Sequence, residues 1–398
     1  MKQSPSDTPA TTSRAEEDWQ NGGFGLYIHW PYCQSKCPYC DFNSHVAKHI
    51  DQGLWLSALS REIDRVAALT SGRMLRSIFF GGGTPSLMAP ETVSGLVERA
   101  RAAWRQENRL EVTLEANPTS VEAERFEAYR EAGVTRVSIG IQALDDNDLR
   151  QLGRLHSVAD GLKAFELARK IFPQVSFDLI YARQNQSARE WRSELQRALA
   201  LEPDHLSLYQ LTIEQGTRFG ELYSRGRLSG LPDEDLGAEL YEITQDLCAE
   251  NGLLAYEVSN HARSGHESLH NLIYWNYGDY AGIGPGAHGR LTKSGIRHAT
   301  IAISNPKAWL RAVETFGTGD ESTTALSSRD QAAEFLMMGL RLHEGIDPER
   351  FRLLNGVALD DAKVRDLMQG RHLENCAGRI RATEKGRGVL NAVLRHLL

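Results

Sequence analysis

The chain has 398 residues, of which 41% are hydrophobic and 24% charged, and its formal net charge is −7. These proportions are typical of a folded, water-soluble protein with one large domain and a smaller one. The acidic balance argues against a general nucleic-acid binder, and no apolar stretch reaches the length that spans a bilayer. We therefore expect no nucleic acid among its partners and no transmembrane segment.

The N-terminal residues and the cysteine content indicate the cellular compartment of the protein. Residues 1–22 are rich in Ser, Thr, Pro and Glu and lack the apolar core of a signal peptide, so we predict a disordered tail there. Five cysteines, three of them clustered, do not resemble a disulfide framework and favour a reducing compartment. The predicted location is the cytoplasm. The isolated Cys248 and Cys376 are interpreted as buried structural thiols.

Short apolar runs alternate with amphipathic segments along the first half of the chain. The predicted strands are Phe24–His29, Leu75–Phe80, Leu110–Glu115, Val137–Gln142, Val175–Tyr181 and His205–Leu211. The predicted helices are Leu54–Leu69, Thr92–Trp104, Val121–Ala132, Gly161–Phe172 and Leu236–Glu250. This alternation predicts an α/β fold with a parallel sheet and right-handed crossovers, either a partial barrel or an open doubly wound sheet. We assign residues 23–300 to this core and residues 301–398, which are helical and charged, to a small C-terminal domain.

Three cysteines lie within eight residues, directly after the first predicted strand. Cys33, Cys37 and Cys40 are soft thiolate ligands, suited to an iron–sulfur cluster. Three ligands on a [4Fe–4S] cluster leave one iron open for chemistry. The alternative is a zinc site with a histidine, such as His29 or His45, as the fourth ligand.

Polar and glycine residues follow several other predicted strands. They are Gly82, Gly83 and Thr84 after the second strand, Glu115 at the end of the third, Gln142 at the end of the fourth and Asp178 in the fifth. Ligands bind at the carboxyl ends of parallel strands, so we expect these residues to converge with the cysteines. The glycines would let the backbone approach a ligand closely. Glu115, Gln142 and Asp178 suit amino or ribose groups, and Arg154 suits a carboxylate.

A second group of candidates lies in the aromatic and glycine-rich block after residue 255. His270 and His288 are candidate metal or heme ligands, and Tyr274 and Trp275 could form the walls around a flat ligand. The alternative is that His270 is a histidine packed in the core beside aromatic residues.

These motifs resemble those of the radical S-adenosylmethionine (SAM) enzymes, in the subgroup of oxygen-independent coproporphyrinogen III dehydrogenase and the heme chaperones. The resemblance runs from about Leu26 to Asn391 and implies a partial (β/α)6 TIM-like barrel with a small, mostly helical, winged-helix-like C-terminal domain. It implies that Cys33, Cys37 and Cys40 hold a [4Fe–4S] cluster. The positions that match SAM contacts are Tyr27, Tyr39, Gly82, Gly83, Thr84, Glu115, Gln142, Arg154, Asp178 and Thr212.

Two features favour the heme-chaperone branch of this subgroup. The dehydrogenase has another cysteine two residues after the third ligand, and here that position is Phe42. The segment from His270 to Trp275 looks like the heme-binding motif of the chaperones, which makes His270 the expected heme ligand. The resemblance therefore implies heme as cargo, apo-hemoproteins as acceptors and a protein electron donor. Oxidative decarboxylation of coproporphyrinogen III is the alternative function.

Overall fold

The computed structural model describes residues 17–119 and 123–398. Within these residues the backbone forms one large mixed sheet, two short strand pairs and a series of helices. The strands are β1 (Phe24–Trp30), β2 (Tyr32–Cys33), β3 (His45–Val46), β4 (Met74–Gly82), β5 (Arg105–Ala116), β6 (Arg136–Gln142), β7 (Gln174–Tyr181), β8 (His205–Gln210), β9 (Leu254–Ala255), β10 (Asn260–Ala262), β11 (Asp279–Ile283), β12 (His288–Lys293), β13 (Ile296–Ala302), β14 (Asp320–Ala325), β15 (Leu373–Cys376) and β16 (Arg379–Ala382).

The large sheet contains a run of parallel strands that follow one another in chain order. Its strand order is β14-β13-β12-β11-β1-β4-β5-β6-β7-β8-β10-β9, and each pairing from β11 to β8 is parallel. The six predicted strands are confirmed as β1, β4, β5, β6, β7 and β8. A doubly wound sheet reverses its strand order, whereas β1, β4, β5, β6, β7 and β8 follow one another in chain order, so these six strands form a partial (β/α)6 barrel. Its edge strands β14 and β9 do not pair with each other, and the sheet stays open.

Helices connect the successive parallel strands, as the strand–helix alternation predicts. The helices are α1 (Gln52–Leu69), α2 (Pro90–Ala103), α3 (Phe126–Glu131), α4 (Asp146–Gln151), α5 (Val158–Ile171), α6 (Ala188–Leu199), α7 (Arg218–Ser224), α8 (Glu234–Glu250), α9 (Leu269–Trp275), α10 (Pro306–Phe316), α11 (Ser328–Gly339), α12 (Pro348–Asn355), α13 (Asp361–Gln369), α14 (Glu384–Gly388) and α15 (Leu390–Leu397). The helix predicted over 121–132 begins outside the described residues.

Local sequence explains where the connecting helices begin. The Asp51 side chain accepts a hydrogen bond from the backbone N–H of Leu54 and caps α1. Ser157 and Asp160 form a capping box at the start of α5, and Ser187 does the same for α6. The buried face of α1 consists of Trp55, Leu59, Ile63 and Val66, at the helical spacing that the sequence shows.

The domain boundary predicted between residues 300 and 301 does not separate the two units in the structure. That position falls inside β13, and β14 also belongs to the large sheet. Trp309 of α10 is fully buried in the barrel core, with its ring stacked on Trp55 at 5.5 Å between centroids. Packing therefore assigns residues up to about 325 to the barrel.

The C-terminal unit has a separate hydrophobic core. It is built from α11 to α15 and the β15–β16 hairpin, and its buried residues include Phe335, Leu336, Leu367 and Val393. This agrees with the predicted small helical domain.

Cys376 is exposed in β15, so its interpretation as a buried thiol is wrong, whereas Cys248 is buried in α8 as predicted. In the described part of the chain, no helix is long and apolar enough to cross a membrane.

The disordered tail was predicted over residues 1–22, and this prediction is wrong for residues 17–22. Residues 1–16 lie outside the described residues, but Asp18–Asn21 form a short 3-10 helix with Asp18 buried. The Asp18 carboxylate accepts hydrogen bonds from Arg350 of α12 at 2.7 and 2.9 Å, and Arg297 of β13 lies 3.4 Å away. These ion pairs order residues 17–22, and the partners lie too far along the chain for composition to reveal them.

Candidate cofactor-binding site

A cavity of about 670 Å³ opens at the carboxyl ends of the parallel strands. Parallel barrels bind their ligands at this end. Predicted site residues that line the cavity are Cys33, Cys37, Tyr39, Cys40, Gly82, Gly83, Thr84, Glu115, Gln142, Arg154, Asp178 and Thr212. Two others, Tyr27 and His270, are not in its lining. The sequence-distant segments after β1, β4, β5, β6, β7 and β8 thus converge, as expected.

The cysteine loop lies between β1 and α1 and is fastened to the end of β4. The N–H of Gly83 donates to Trp30 O at 2.7 Å, and the N–H of Thr84 donates to Tyr32 O at 2.8 Å. Within the loop, the N–H of Cys40 donates to Cys37 O at 3.2 Å and forms a turn. These bonds hold the three thiols on one side of the cavity.

Two side chains donate hydrogen bonds to the cysteine sulfurs. Thr84 Oγ1 donates to Cys33 Sγ at 3.4 Å, and Arg154 Nη1 donates to Cys37 Sγ at 3.6 Å. Burial raises the pKa of the Cys33 and Cys40 thiols, and the Thr84 bond opposes the shift at Cys33. Thiolates are the form that binds a metal, so donors to sulfur fit a site that holds bound thiolates.

The donor set fits an iron–sulfur cluster better than a single zinc ion. Among residues 17–119 and 123–398, no three His, Cys, Asp or Glu side chains converge closely enough to hold one metal ion. In a [4Fe–4S] cluster, in contrast, each cysteine binds a different iron. The imidazole of His29 interacts with Tyr27 and the backbone of Asn43, and that of His45 with the Asn43 side chain, so neither supports the zinc alternative.

Gly82 and Gly83 line the cavity and also have a packing role that the sequence did not indicate. A Cβ on Gly82 would lie 2.5 Å from the His29 ring, and its φ of +106° is unfavourable for other residues. A Cβ on Gly83 would lie 2.7 Å from Tyr32 O. The two glycines are therefore required by packing against β1 and the cysteine loop, and this packing also directs the N–H of Gly82 to Glu115 Oε2 at 3.3 Å.

Two acidic side chains, Glu115 and Asp178, occupy the cavity floor. Burial, followed by the nearby Asp178 charge, raises the pKa of Glu115 to about 8. Burial also raises the pKa of Asp178 to about 6, although hydrogen bonds from Ser138 and Ser207 and the charge of Arg154 oppose the shift. At neutral pH the pair holds about one proton and one negative charge, because two buried carboxylates that interact do not ionise independently. Such a floor suits an ammonium or sulfonium group and ribose hydroxyls.

Arg154 connects the cysteine loop to the strand ends. Its Nη2 donates to Asn117 Oδ1 at 2.6 Å and to Gly140 O at 2.9 Å. Its Nε is buried with no hydrogen-bond partner in the described part of the chain, and the cavity is the place where a ligand atom could supply one. Arg154 thus has both a structural role and one donor left for a bound group.

The remaining predicted SAM contacts occupy different depths. Gln142 ends β6 with φ of +73°, an uncommon conformation for a residue with a side chain. Tyr39 and Thr212 line the cavity, and burial raises the pKa of Tyr39. Tyr27 lies deeper in the barrel, with its Oη 3.0 Å from His29 Nδ1, so it supports the wall without forming its surface.

His270 is buried inside the barrel. It is 1% exposed, its ring stacks on Phe79 at 4.9 Å, Ser77 Oγ lies 2.7 Å from Nδ1 and Tyr274 Oη lies 2.6 Å from Nε2. Burial lowers the pKa of His270 to about 3, so the imidazole is neutral. Both ring nitrogens are therefore engaged within the protein, and the arrangement matches the packed-core alternative for this residue.

Sequence reasoning missed several residues of the cavity wall. Ser138 hydrogen-bonds Asp178 at 3.1 Å, and the alternation of β6 already placed it on one face with Gly140 and Gln142. Arg341 and Asn391 reach the cavity from the C-terminal unit. No local signal marks these two, because their position depends on how the two units pack.

Comparisons with known proteins agree with this architecture. The family model described as the radical SAM superfamily matches residues 27–197, and that of the HemN C-terminal domain matches residues 326–389. The structure is similar to coproporphyrinogen III oxidase (HemN) from Escherichia coli, with a TM-score of 0.79 over 95% of this chain and 92% of that one. At 20% identity, this likeness shows the fold alone. The fold and the three-cysteine loop are those of a radical SAM protein.

Sequence relatives define the family more narrowly. The chain is 37% identical to the heme chaperone HemW of Escherichia coli, over 93% of this chain and 96% of the relative. It is 34% identical to HemW of Bacillus subtilis, over 92% and 97%. It is also 39% identical to the mouse radical S-adenosyl methionine domain-containing protein 1, mitochondrial, over 100% and 90%. The chain belongs to the HemW family of radical SAM proteins, and this membership implies a [4Fe–4S] cluster and SAM.

Proposed function

We propose that this protein is a heme chaperone, which binds heme and delivers it to apo-hemoproteins. The main support for the proposal is the similarity to heme chaperones over more than nine-tenths of the chain. Phe42, in place of a further cysteine beside the cluster loop, agrees with it. The acceptor is an apo-hemoprotein, and a protein electron donor serves the cluster.

The cysteine loop and the cavity floor would hold the resident cofactors. Cys33, Cys37 and Cys40 would bind the [4Fe–4S] cluster, with Thr84 and Arg154 donating to two of the sulfurs. Glu115, Asp178 and Gln142 would bind the polar groups of SAM, together with Tyr39, Gly82, Gly83, Thr84 and Thr212. The chemistry that the bound, reduced cluster would supply there is the transfer of one electron to SAM. The protein's own residues orient SAM and hold it away from bulk water.

The second candidate is a coproporphyrinogen III dehydrogenase, which the match of residues 326–389 to the HemN C-terminal domain favours. The two functions differ in product. Anaerobic reaction of the reconstituted protein with SAM, a reductant and coproporphyrinogen III, followed by mass spectrometry, separates them. We expect no decarboxylated porphyrinogen. Loss of carbon dioxide from the propionates would show the dehydrogenase and refute the chaperone proposal.

His270 stays the proposed heme ligand, as the resemblance implies, and His288 is the second candidate. Because Ser77 and Tyr274 engage both nitrogens of His270, ligation requires α9 to move and free one of them. His288 is exposed at the start of β12 and needs no such rearrangement. Replacement of each histidine by Ala, followed by spectra of bound heme, distinguishes the two ligands.

We propose the cytoplasm as the location of the protein. The five cysteines are unpaired thiols, which suits a reducing compartment. The mitochondrial name of the mammalian relatives indicates the competing location. Cell fractionation with a mitochondrial marker distinguishes them.

A further inference from the structure

Arg341 brings a guanidinium group from the C-terminal unit to the wall of the cavity. It lies two residues after the end of α11. Among the described residues, Arg154 is the other arginine in the cavity lining, which contains no lysine, and it is already bonded to Cys37, Asn117 and the carbonyl of Gly140. In the described lining, Arg154 keeps its buried Nε for a ligand, whereas Arg341 is the cation with a solvent-exposed side chain.

Glu257 binds one edge of the Arg341 guanidinium, and the ring of Trp275 packs on its face. Glu257 Oε2 accepts hydrogen bonds from Arg341 Nε at 3.2 Å and Nη2 at 3.0 Å, and the Glu257 side chain is fully buried. The ring of Trp275 lies 4.6 Å from the guanidinium carbon. Arg341 Nη1 makes no hydrogen bond to a described residue, and 31% of the side chain is exposed. A guanidinium fixed in this way, with its other edge open, is pre-organised to bind a carboxylate.

Apolar side chains remain exposed around the same cavity. Leu155 is 69% exposed and Phe42 is 58% exposed, and both belong to the lining. A cavity lined by exposed apolar groups and by an open guanidinium fits a ligand that has a broad apolar body and a peripheral carboxylate. Heme has this chemistry, since its macrocycle is apolar and its propionates are carboxylates.

We propose that Arg341 binds a propionate of heme, and that Trp275 and Glu257 are positioning residues that hold its guanidinium. The inference rests on the proposed function, because that function names heme as the cargo. It also gives the last residue of the predicted heme motif a role, since Trp275 acts through Arg341.

The test compares hemin with hemin dimethyl ester, in which both propionates are esterified. Wild-type protein should bind hemin about tenfold to a hundredfold more tightly than the diester, because the ester cannot form a charge-assisted bond. Arg341→Gln should lose this preference while its affinity for the diester stays unchanged. A variant that keeps the preference, or that loses affinity equally for both ligands, would overturn the inference.

Control variants separate binding from folding. Arg352→Gln removes an exposed arginine that pairs with Glu349 on α12, and it should keep the preference. Because Arg341→Gln leaves Glu257 buried without its partner, the double variant Glu257→Gln/Arg341→Gln removes both charges and should give the same loss of preference. Trp275→Phe should retain most of the preference and Trp275→Ala should reduce it, whereas equal behaviour of the two would contradict the positioning role.

The same titration separates a failure of the proposed function from a failure of the inference about Arg341. If wild-type protein binds neither hemin nor the diester, the proposed function fails together with this inference. If it binds both ligands equally tightly, heme binding stands and the inference about Arg341 fails.

Discussion

At the scale of single residues, the cysteine loop combines three thiols with two hydrogen-bond donors. Thr84 donates to Cys33 and Arg154 donates to Cys37. Donors of this kind tune a cluster by stabilising negative charge on its sulfur ligands. The backbone bonds of Gly83 and Thr84 hold this loop against the end of β4.

Replacement of any cluster cysteine should abolish the cluster. Cys33→Ala, Cys37→Ala and Cys40→Ala each remove one of three protein ligands, so the visible absorbance after anaerobic reconstitution should fall to background. The matched control is Cys376→Ala, which removes an exposed thiol in β15 and should keep full absorbance. Full retention of the cluster in any of the three loop variants would contradict the assignment.

The buried Glu115 should make stability depend on pH. Its pKa is about 8 in the folded protein, above the usual value, so its contribution is fully present at low pH and is lost as the pH rises towards 8. Glu115→Gln should therefore be more stable than wild type at pH 8, by about 1–3 kcal/mol, and should lose this advantage near pH 5.

Urea unfolding of the protein without cofactors at the two pH values measures this difference. Glu239→Gln, at an exposed position on α8, is the control and should follow wild type at both pH values. An equal stability difference between Glu115→Gln and wild type at pH 5 and pH 8 would refute the raised pKa.

At the scale of elements, α9 closes the inside of the barrel next to β1 and β4. His270 and Tyr274 bond to each other, and Asn271 Nδ2 donates to Tyr256 Oη at 3.2 Å. Trp275 contacts Arg341 of the C-terminal unit. The short helix therefore joins the barrel interior to the C-terminal unit through its side chains.

His270→Ala should destabilise the protein by about 2–4 kcal/mol, because it leaves a cavity and removes the buried hydrogen-bond partner of Ser77 and Tyr274. It should also weaken heme binding while the cluster absorbance stays intact. His288→Ala, at an exposed position, should change stability little. Chemical denaturation and hemin titration of both variants measure the two effects. Unchanged heme affinity in His270→Ala would assign the ligand elsewhere.

The elements that sequence reasoning found are those with strong periodicity. The six parallel strands and their helices carry apolar patterns, and the polar residues at their ends predicted the cavity. In contrast, β14 has five exposed residues out of six and forms through pairing with β13, and β5 begins with the polar residues Arg105–Arg109. Tertiary pairing determines these strands, so local sequence could not predict them. The same reason explains why local sequence did not point to Arg341, and why it could not show which side chains enclose His270.

At the scale of the whole molecule, a buried ion network connects the start of the chain to both units. Asp18 binds Arg350 of α12 and Arg297 of β13, and Arg297 also lies 3.3 Å from Asp279 of β11. Arg350 donates further to Asn276 O at 2.7 Å and Tyr277 O at 3.1 Å. The network fixes the C-terminal unit against the barrel, which in turn sets the position of Arg341 at the cavity.

Asp18→Asn should lower the free energy of unfolding by about 2–4 kcal/mol, because it removes a negative charge that pairs with two largely buried arginines, Arg297 and Arg350. Glu17→Gln, beside it at an exposed position, should have little effect. Thermal unfolding of both variants measures the difference. Equal stability of Asp18→Asn and wild type would show that the network does not hold the N-terminal segment.

Heme transfer to an apo-hemoprotein measures directly whether this radical SAM protein delivers heme. Protein reconstituted with its cluster under anaerobic conditions is loaded with hemin, separated from free hemin and mixed with an apo-hemoprotein. We expect a stoichiometric heme complex to form, and holo-hemoprotein to appear at the expense of that complex faster than free hemin release allows. Failure of the reconstituted protein to bind hemin, or to raise the amount of holo-protein above that from free hemin, would contradict this expectation.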